Sequence, residues 1–307
     1  MRKLLNKIIL ILLLSIVTFR IIGVFDNIAF DNRDVARIKV SEQFKNLDYL
    51  ILGNSHSYAG VDIAVFDSVG LKAYNLACPA AGPYTIKLVL ENYLKTTNTP
   101  PKNIILNLGP EMFSPSSDVF EKYPIHRYLN PAISNEKLLF NGMVGAGEYG
   151  KLFVKSAKQG AQKLLVTNKK ITESLIQYNF LLKGFAVRPT VYTESFYKKD
   201  FSKYKVFSGY DYDTKKENVF LSLLDYCHSL NIKVYLHPIP NNKLGAFLSP
   251  QLAQGYATLL NKLMVDKNVA VLIYPDYFPE YWFADIDHMN NSGATIYTRF
   301  LLQKIIH

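Results

Sequence analysis

The chain is short of cysteine, glycine and proline, with 2, 16 and 14 of them in 307 residues. Two cysteines exclude a disulfide-stapled mini-fold and a multi-cysteine zinc module. So little glycine and proline, with 49% hydrophobic and 20% charged residues, excludes collagen-like, low-complexity and strongly charged disordered chains. What remains is a globular chain long enough for one large domain or two small ones. Its net charge of +10 raises nucleic acid as a partner. The placement of that charge decides the question.

Arg2, Lys3 and Lys7 precede a charge-free run from Ile8 to Phe19, which Arg20 ends. A 12-residue apolar core behind cationic residues has the form of a secretory h-region, but no small-x-small cleavage site follows. Counted from Leu4 to Phe25 the segment is long enough to span a bilayer, with Lys7 and Arg20 able to reach the headgroups. Residues 1–29 therefore read as a cytoplasmic tail and an uncleaved signal-anchor helix. Positive-inside bias places residues 30–307 outside the cytoplasm of a bacterial cell, as a single-pass protein with an extracytoplasmic domain. A buried N-terminal helix of a soluble protein is the alternative. The extracytoplasmic reading permits a disulfide between Cys78 and Cys227, although two buried free thiols fit as well.

Short β-branched runs alternate with helical patterns, the signature of an α/β fold with a mostly parallel sheet. Strands are expected at 48–52, 72–75, 103–108, 232–236 and 269–274, with helices at 84–94, 216–229, 250–264 and 292–306. This is a three-layer sandwich around five strands. Residues 114–210 break the rhythm as an insertion with a helical region and a run of tyrosines. From Glu136 to Lys205 there are 13 Lys plus Arg against 5 acids, a net of +8, so most of the excess charge sits there. A basic, tyrosine-rich lobe suits an anionic envelope polymer or lipid headgroups, and a solvated lysine face is the alternative. Outside the cytoplasm, nucleic acid is not expected.

Two segments carry chemistry. Gly53-Asn54-Ser55-His56-Ser57 follows the first strand, where α/β sheets place their sites. Asp285-Ile286-Asp287-His288-Met289-Asn290-Asn291-Ser292-Gly293 precedes the last helix. A carboxylate three residues before a histidine can fold back onto Nδ1, which fixes the tautomer and leaves Nε2 to take a proton from a serine. Alone, each segment has a plainer use: Ser55 as a helix cap, and Asp285-x-x-His288 as a cap or half a metal site. His126, His228, His237 and His307 add no ligand spacing, so neither metal nor organic cofactor is expected.

Together these segments resemble the two terminal blocks of the SGNH (GDSL-like) hydrolase superfamily, from about Asp48 to the C-terminus. The resemblance implies a flavodoxin-like fold with Ser55 as nucleophile, His288 as general base and Asp285 as the acid that orients it. Asp287 is the competing carboxylate. Gly82, in Asn75-Leu76-Ala77-Cys78-Pro79-Ala80-Ala81-Gly82, looks like the second block, whose glycine N–H helps hold an oxyanion. The chain departs from the family pattern twice. Asn54 stands where the name-giving Asp belongs, and Glu111 stands in place of the third block's asparagine. A glutamate facing an oxyanion is repulsive, so the hole is expected to recruit Asn107 or to rest on the Ser55 and Gly82 N–H groups. His56 reads as lining the crevice or capping the following helix, and Trp282 and Phe283 as acyl-pocket or core residues. The N-terminal anchor makes the chain similar to membrane-anchored members such as teichoic-acid D-alanyl transfer and exopolysaccharide O-acetyltransferase proteins. That likeness implies acyl transfer or acetyl-ester hydrolysis at an envelope polysaccharide, with an acylated glycan or acyl donor as ligand and a membrane-bound acyltransferase as partner. A catalytically silent scaffold that binds glycan or such a partner is the alternative.

Overall fold

The computed structural model describes residues 33–118, 177–191, 209–238, 248–266, 269–273 and 278–306. The expected anchor at 1–29 and most of the insertion lie outside the described residues. Among those described, no helix is long and apolar enough to cross a membrane.

The elements run α1 (Arg33–Ser41), β1 (Tyr49–Leu52), α2 (Ser55–Gly60), α3 (Ile63–Ser68), β2 (Ala73–Asn75), α4 (Pro83–Thr97), β3 (Asn103–Leu108), α5 (Thr214–Ser229), β4 (Lys233–Pro238), α6 (Pro250–Met264), β5 (Val269–Val271) and α7 (Asn291–Ile306). Single 3-10 turns follow β3, at Pro110–Phe113, and precede α7, at Glu280–Trp282. The strands form one sheet in the order β2-β1-β3-β4-β5, and every pairing is parallel. The sheet is wholly parallel rather than mostly so.

The two-residue period of a strand divides the core. Leu50, Leu52, Ile104, Leu106, Val234 and Leu236 face one side and pack with residues of α4, α5 and α6, among them Tyr93, Phe220 and Leu259. Tyr49, Ile51, Ile105 and Tyr235 face the other side, against α3 and α7 through Phe66, Tyr297 and Leu301. Strands buried on both faces read as continuous apolar runs, which is why Tyr49–Leu52 shows no alternation. The helix starts are fixed locally. Asp213 accepts from Lys215 N–H at 2.9 Å to open α5, and Ser249 accepts from Leu252 N–H at 3.0 Å to open α6, with Pro250 following it.

Cys78 and Cys227 are both buried, and no disulfide joins them. Burial pushes the Cys227 thiol up to about 12, so it behaves as a small apolar side chain.

The strand order fixes where a site can form. The chain leaves β1 for β2 on one side, then crosses back to β3 on the other, so β1 and β3 are the neighbours at which the winding reverses. The crevice beyond the C-terminal ends of such strands is where open α/β sheets bind ligands. Asn54 and Ser55 follow β1, while Asn107 and Glu111 stand at the end of β3 and just past it.

Candidate active site

Ser55 is the first residue of α2. Its preceding turn is built by Gly53, whose φ of +129° lies in a region that L side chains rarely adopt. A Cβ at Gly53 would stand 1.5 Å from Asn107 Oδ1. Glycine therefore lets the turn close on Asn107, whose Oδ1 accepts from Asn54 N–H at 2.8 Å and from the Ser57 hydroxyl at 3.1 Å. Asn54 then caps α2 by accepting from His56 N–H at 3.0 Å. With both neighbours fixed, the Ser55 side chain faces the loop ahead of α7.

That loop folds back on itself. A Phe283–Met289 bridge, with Ala284 N–H donating to His288 O at 2.8 Å and Asn290 N–H to Trp282 O at 2.8 Å, closes a narrow hairpin. Within it Asp285 Oδ1 accepts from His288 N–H at 2.7 Å and from Asp287 N–H at 3.2 Å. The same carboxylate meets His288 Nδ1 at 2.9 and 3.0 Å, and His288 Nε2 lies 2.8 Å from Ser55 Oγ. Ser55, His288 and Asp285 thus form one connected hydrogen-bonded row. With acceptors on Nδ1, that nitrogen carries the proton and Nε2 is left to accept from the serine.

Asp287 also reaches the ring, with Oδ1 2.9 Å from Nδ1. Both carboxylates therefore face one nitrogen. Burial would lower the His288 pKa, but Asp287 and then Asp285 outweigh it and hold it above the ordinary histidine value. Asp287 lies well below the usual carboxylate range, because its interactions with His288 and His56 more than offset its burial.

His56 neither caps α2 nor lines an open crevice. Its ring is 8% exposed and stacks on His288, with centroids 5.0 Å apart and planes at 18°. Its Nδ1 faces Asn54 Oδ1 at 3.0 Å and Glu111 Oε1 at 3.4 Å, and its Nε2 faces Asp287 Oδ2 at 3.4 Å. Carboxylates near both nitrogens favour its protonated, imidazolium form. Against the pull of burial, Asp287 and Glu111 raise its pKa to about 10. His56, Asp287 and His288 also bring ligand-type atoms within 4.8 Å of one another. Asp287 faces both imidazoles, and the three read as a cluster of opposite charges.

Two of the three expected oxyanion donors, Gly82 and Asn107, are occupied elsewhere. Gly82 N–H donates to Asp118 Oδ1 at 2.9 Å, and the same carboxylate also takes Tyr84 and Thr85 N–H at the start of α4. Asn107 is fully buried beneath the turn, with its Nδ2 donating to Asn54 Oδ1 at 3.1 Å and facing Met112 Sδ at 3.5 Å. Glu111 turns toward Asn54, accepting from its Nδ2 at 2.7 Å. Of the groups considered, Ser55 N–H is the one with no protein partner among the described residues. Trp282 is half-buried, and Phe283 is fully buried in the core against α7.

Two contributors were not legible in the sequence. Arg188 Nη1 donates to Asp285 Oδ2 at 3.0 Å. Its peptide group is pinned to α7 by Arg188 N–H to Asn291 Oδ1 at 2.6 Å and by Asn291 N–H to Arg188 O at 2.9 Å. A segment returning from the insertion thereby supplies a cation to the site. Below it, Ser57 Oγ lies 3.2 Å from His237 Nε2, whose Nδ1 meets Tyr297 Oη at 2.8 Å. Burial, aided by the His56 charge, lowers the His237 pKa to about 3 and keeps the ring neutral. Ser57 and His237 are 0% and 1% exposed, so this second serine–histidine pair is sealed from substrate.

No protein-family model matches the chain, and no curated protein matches it. Among solved structures it is similar to a Bacteroides fragilis protein provisionally named an acylhydrolase. The two share 10% identity over 87% of this chain and 93% of the other, with a TM-score of 0.40. A likeness that distant carries no argument about chemistry. The residues of the site must carry it.

Proposed function

We propose that the chain is an SGNH-like serine acyl-transfer enzyme in which Ser55 is the nucleophile, His288 the general base and Asp285 the orienting acid. The observation behind this reading is the 2.8 Å approach of Ser55 Oγ to His288 Nε2, with Asp285 on the far nitrogen. Nucleophile, base and orienting group stand in the order that activates a hydroxyl. Ser55 Oγ attacks the acyl carbon while its proton passes to His288 Nε2. The imidazolium then protonates the departing oxygen, leaving an acyl-serine. In the second half His288 takes a proton from a sugar hydroxyl or water, that oxygen displaces Ser55 from the acyl carbon, and the imidazolium returns the proton to the departing Ser55 Oγ.

Ser55 N–H, without a partner among the described residues, is the donor available to the developing oxyanion. Losing one donor of a two-donor hole costs about 3 to 4 kcal/mol, or roughly 100- to 1000-fold in rate. This favours slow, specific transfer over rapid ester hydrolysis. Acetyl is the proposed acyl group and a cell-envelope polysaccharide the proposed acceptor. The Leu4–Phe25 segment is the proposed membrane anchor, and a membrane-bound acyltransferase the proposed source of the acyl group. A second reading has its own support: with Gly82 and Asn107 both engaged, the chain would be a silent scaffold that binds glycan or a partner enzyme. Incubation of the full chain with an activated acetyl ester, followed by mass spectrometry, separates the two. Acetylation at Ser55 that is lost in Ser55→Ala supports the enzyme. An unmodified wild-type chain supports the scaffold.

A further inference from the structure

An imidazole that faces two carboxylates through one nitrogen is held in its protonated form, which leaves no free lone pair on the other nitrogen to take a proton. Asp285 and Asp287 stand at 2.9 Å from His288 Nδ1. One carboxylate is what a serine–histidine pair uses, and the second is a surplus negative charge. Two cations stand against these two anions. His56 stacks on His288 and faces Asp287 Oδ2 at 3.4 Å, while Arg188 Nη1 holds Asp285 Oδ2 at 3.0 Å.

We propose that His56 and Arg188 are positioning residues, a matched pair of fixed cations that offset Asp287 and Asp285 and keep His288 Nε2 free to accept the Ser55 proton. This rests on the reading of Ser55 and His288 as nucleophile and base, and it adds the device that poises the base. His56 owes its charge to its setting: Nδ1 meets Asn54 Oδ1 and Glu111, and Nε2 meets Asp287, so neither nitrogen faces a donor. Arg188 is aimed by its backbone pairing with Asn291 on α7.

The charged and titratable groups around His288 come from four directions. The hairpin gives Asp285 and Asp287, α2 gives Ser55 and His56, and the returning segment gives Arg188. The turn after β3 gives Glu111, which acts through His56. Behind them, His237 on β4 stays neutral against Ser57 and Tyr297. The three carboxyl groups of Glu111, Asp285 and Asp287 outnumber the two basic groups of His56 and Arg188 by one around His288. Removing either cation makes the excess two, and the added negative potential protonates His288.

The test is an NMR titration of His288 in the full chain, histidine-labelled and held in detergent micelles, alongside kcat/KM against pH with an activated acetyl ester. In His56→Gln the His288 midpoint is expected to rise by about one unit or more, since a charge about 5 Å away interacts strongly even at an effective dielectric near 20. In Arg188→Gln, whose cation acts through Asp285 and is partly solvated, a smaller rise is expected, and Arg188→Lys restores most of it. The acidic limb of kcat/KM moves up with the midpoint, so the rate lost at neutral pH returns under alkaline conditions. A purely structural role would lower the rate equally at all pH values and leave the midpoint unmoved. That outcome in folded variants overturns the proposal. Should His56→Gln fail to fold, the wild-type spectrum decides: His56 protonated at both nitrogens at pH 7 to 8 supports the proposal, and a neutral His56 overturns it. The titration reads no acyl transfer, so its failure is distinguishable from an unreactive Ser55.

Discussion

Asn54 and Glu111 are bonded to each other, Nδ2 to Oε1 at 2.7 Å, and their pairing ties together the two places where the chain departs from the SGNH pattern. An aspartate at 54 would set a carboxylate against that of Glu111 with no proton between them. An asparagine there donates to the glutamate and still accepts from His56 N–H to cap α2. Glu111 in turn turns away from the acyl site and supports the imidazolium of His56.

This pairing predicts a double-mutant result. Asn54→Asp alone brings two buried carboxylates together and is expected to cost about 1 to 3 kcal/mol in denaturant unfolding. Adding Glu111→Gln returns a donor to the pair and is expected to recover most of that loss. Additive effects of the two changes would show that the contact contributes little.

Gly53→Ala tests the turn beneath Ser55. The added methyl would collide with Asn107 Oδ1, the acceptor that fixes Asn54 N–H and Ser57. Together with the strained φ, this is expected to lower stability by about 1 to 3 kcal/mol and to reduce esterase turnover as Ser55 is displaced. Thermal unfolding and turnover measured on the same preparation check both effects.

Much of this arrangement was visible in the sequence, and the remainder was not, for physical reasons. All five strands stood out as apolar runs, and α4 to α7 stood out by periodicity, because each buries enough surface to impose a pattern. The α2 and α3 helices are six residues each and leave too short a pattern to read. The Asp285-x-x-His288 fold-back is local, so its spacing announced it. Arg188 is 97 positions from Asp285, and its contact depends on how the insertion returns to the domain. His56 was placed beside the nucleophile, but its stacking on His288 depends on where the final hairpin docks, which no neighbouring residue encodes. The engagement of Gly82 by Asp118 is likewise a contact between segments 36 residues apart.

Stability is expected to peak near the ordinary histidine value. His56 is raised in the folded chain to about 10, so its contribution is complete below about pH 6.5 and is lost as pH rises toward 10. His237 is depressed to about 3, so the folded state binds fewer protons than the unfolded one below about pH 6.5, and stability falls toward acid. Asp287, also depressed, adds to the acid-side loss below the usual carboxylate range. Thermal unfolding between pH 4 and 10 is expected to trace a bell. His56→Gln flattens its alkaline side and, by removing one cause of the His237 and Asp287 shifts, softens the acid side as well.

Asp285→Asn should leave the fold intact while removing the partner that fixes the His288 tautomer. A change of this kind costs about 10⁴-fold in the serine protease precedent. Here Asp287 also faces Nδ1 and can take over part of the role, so a loss on the order of 10² to 10³ is expected, and near-complete loss in Asp285→Asn/Asp287→Asn. Turnover of an activated acetyl ester by both variants checks this.

The most direct test of the account is covalent labelling of the full chain with a fluorophosphonate, followed by peptide mass spectrometry. The account predicts one adduct, on Ser55, formed in the wild type and absent from Ser55→Ala and His288→Ala. A wild-type chain that stays unlabelled, or an adduct that persists in Ser55→Ala, would contradict it.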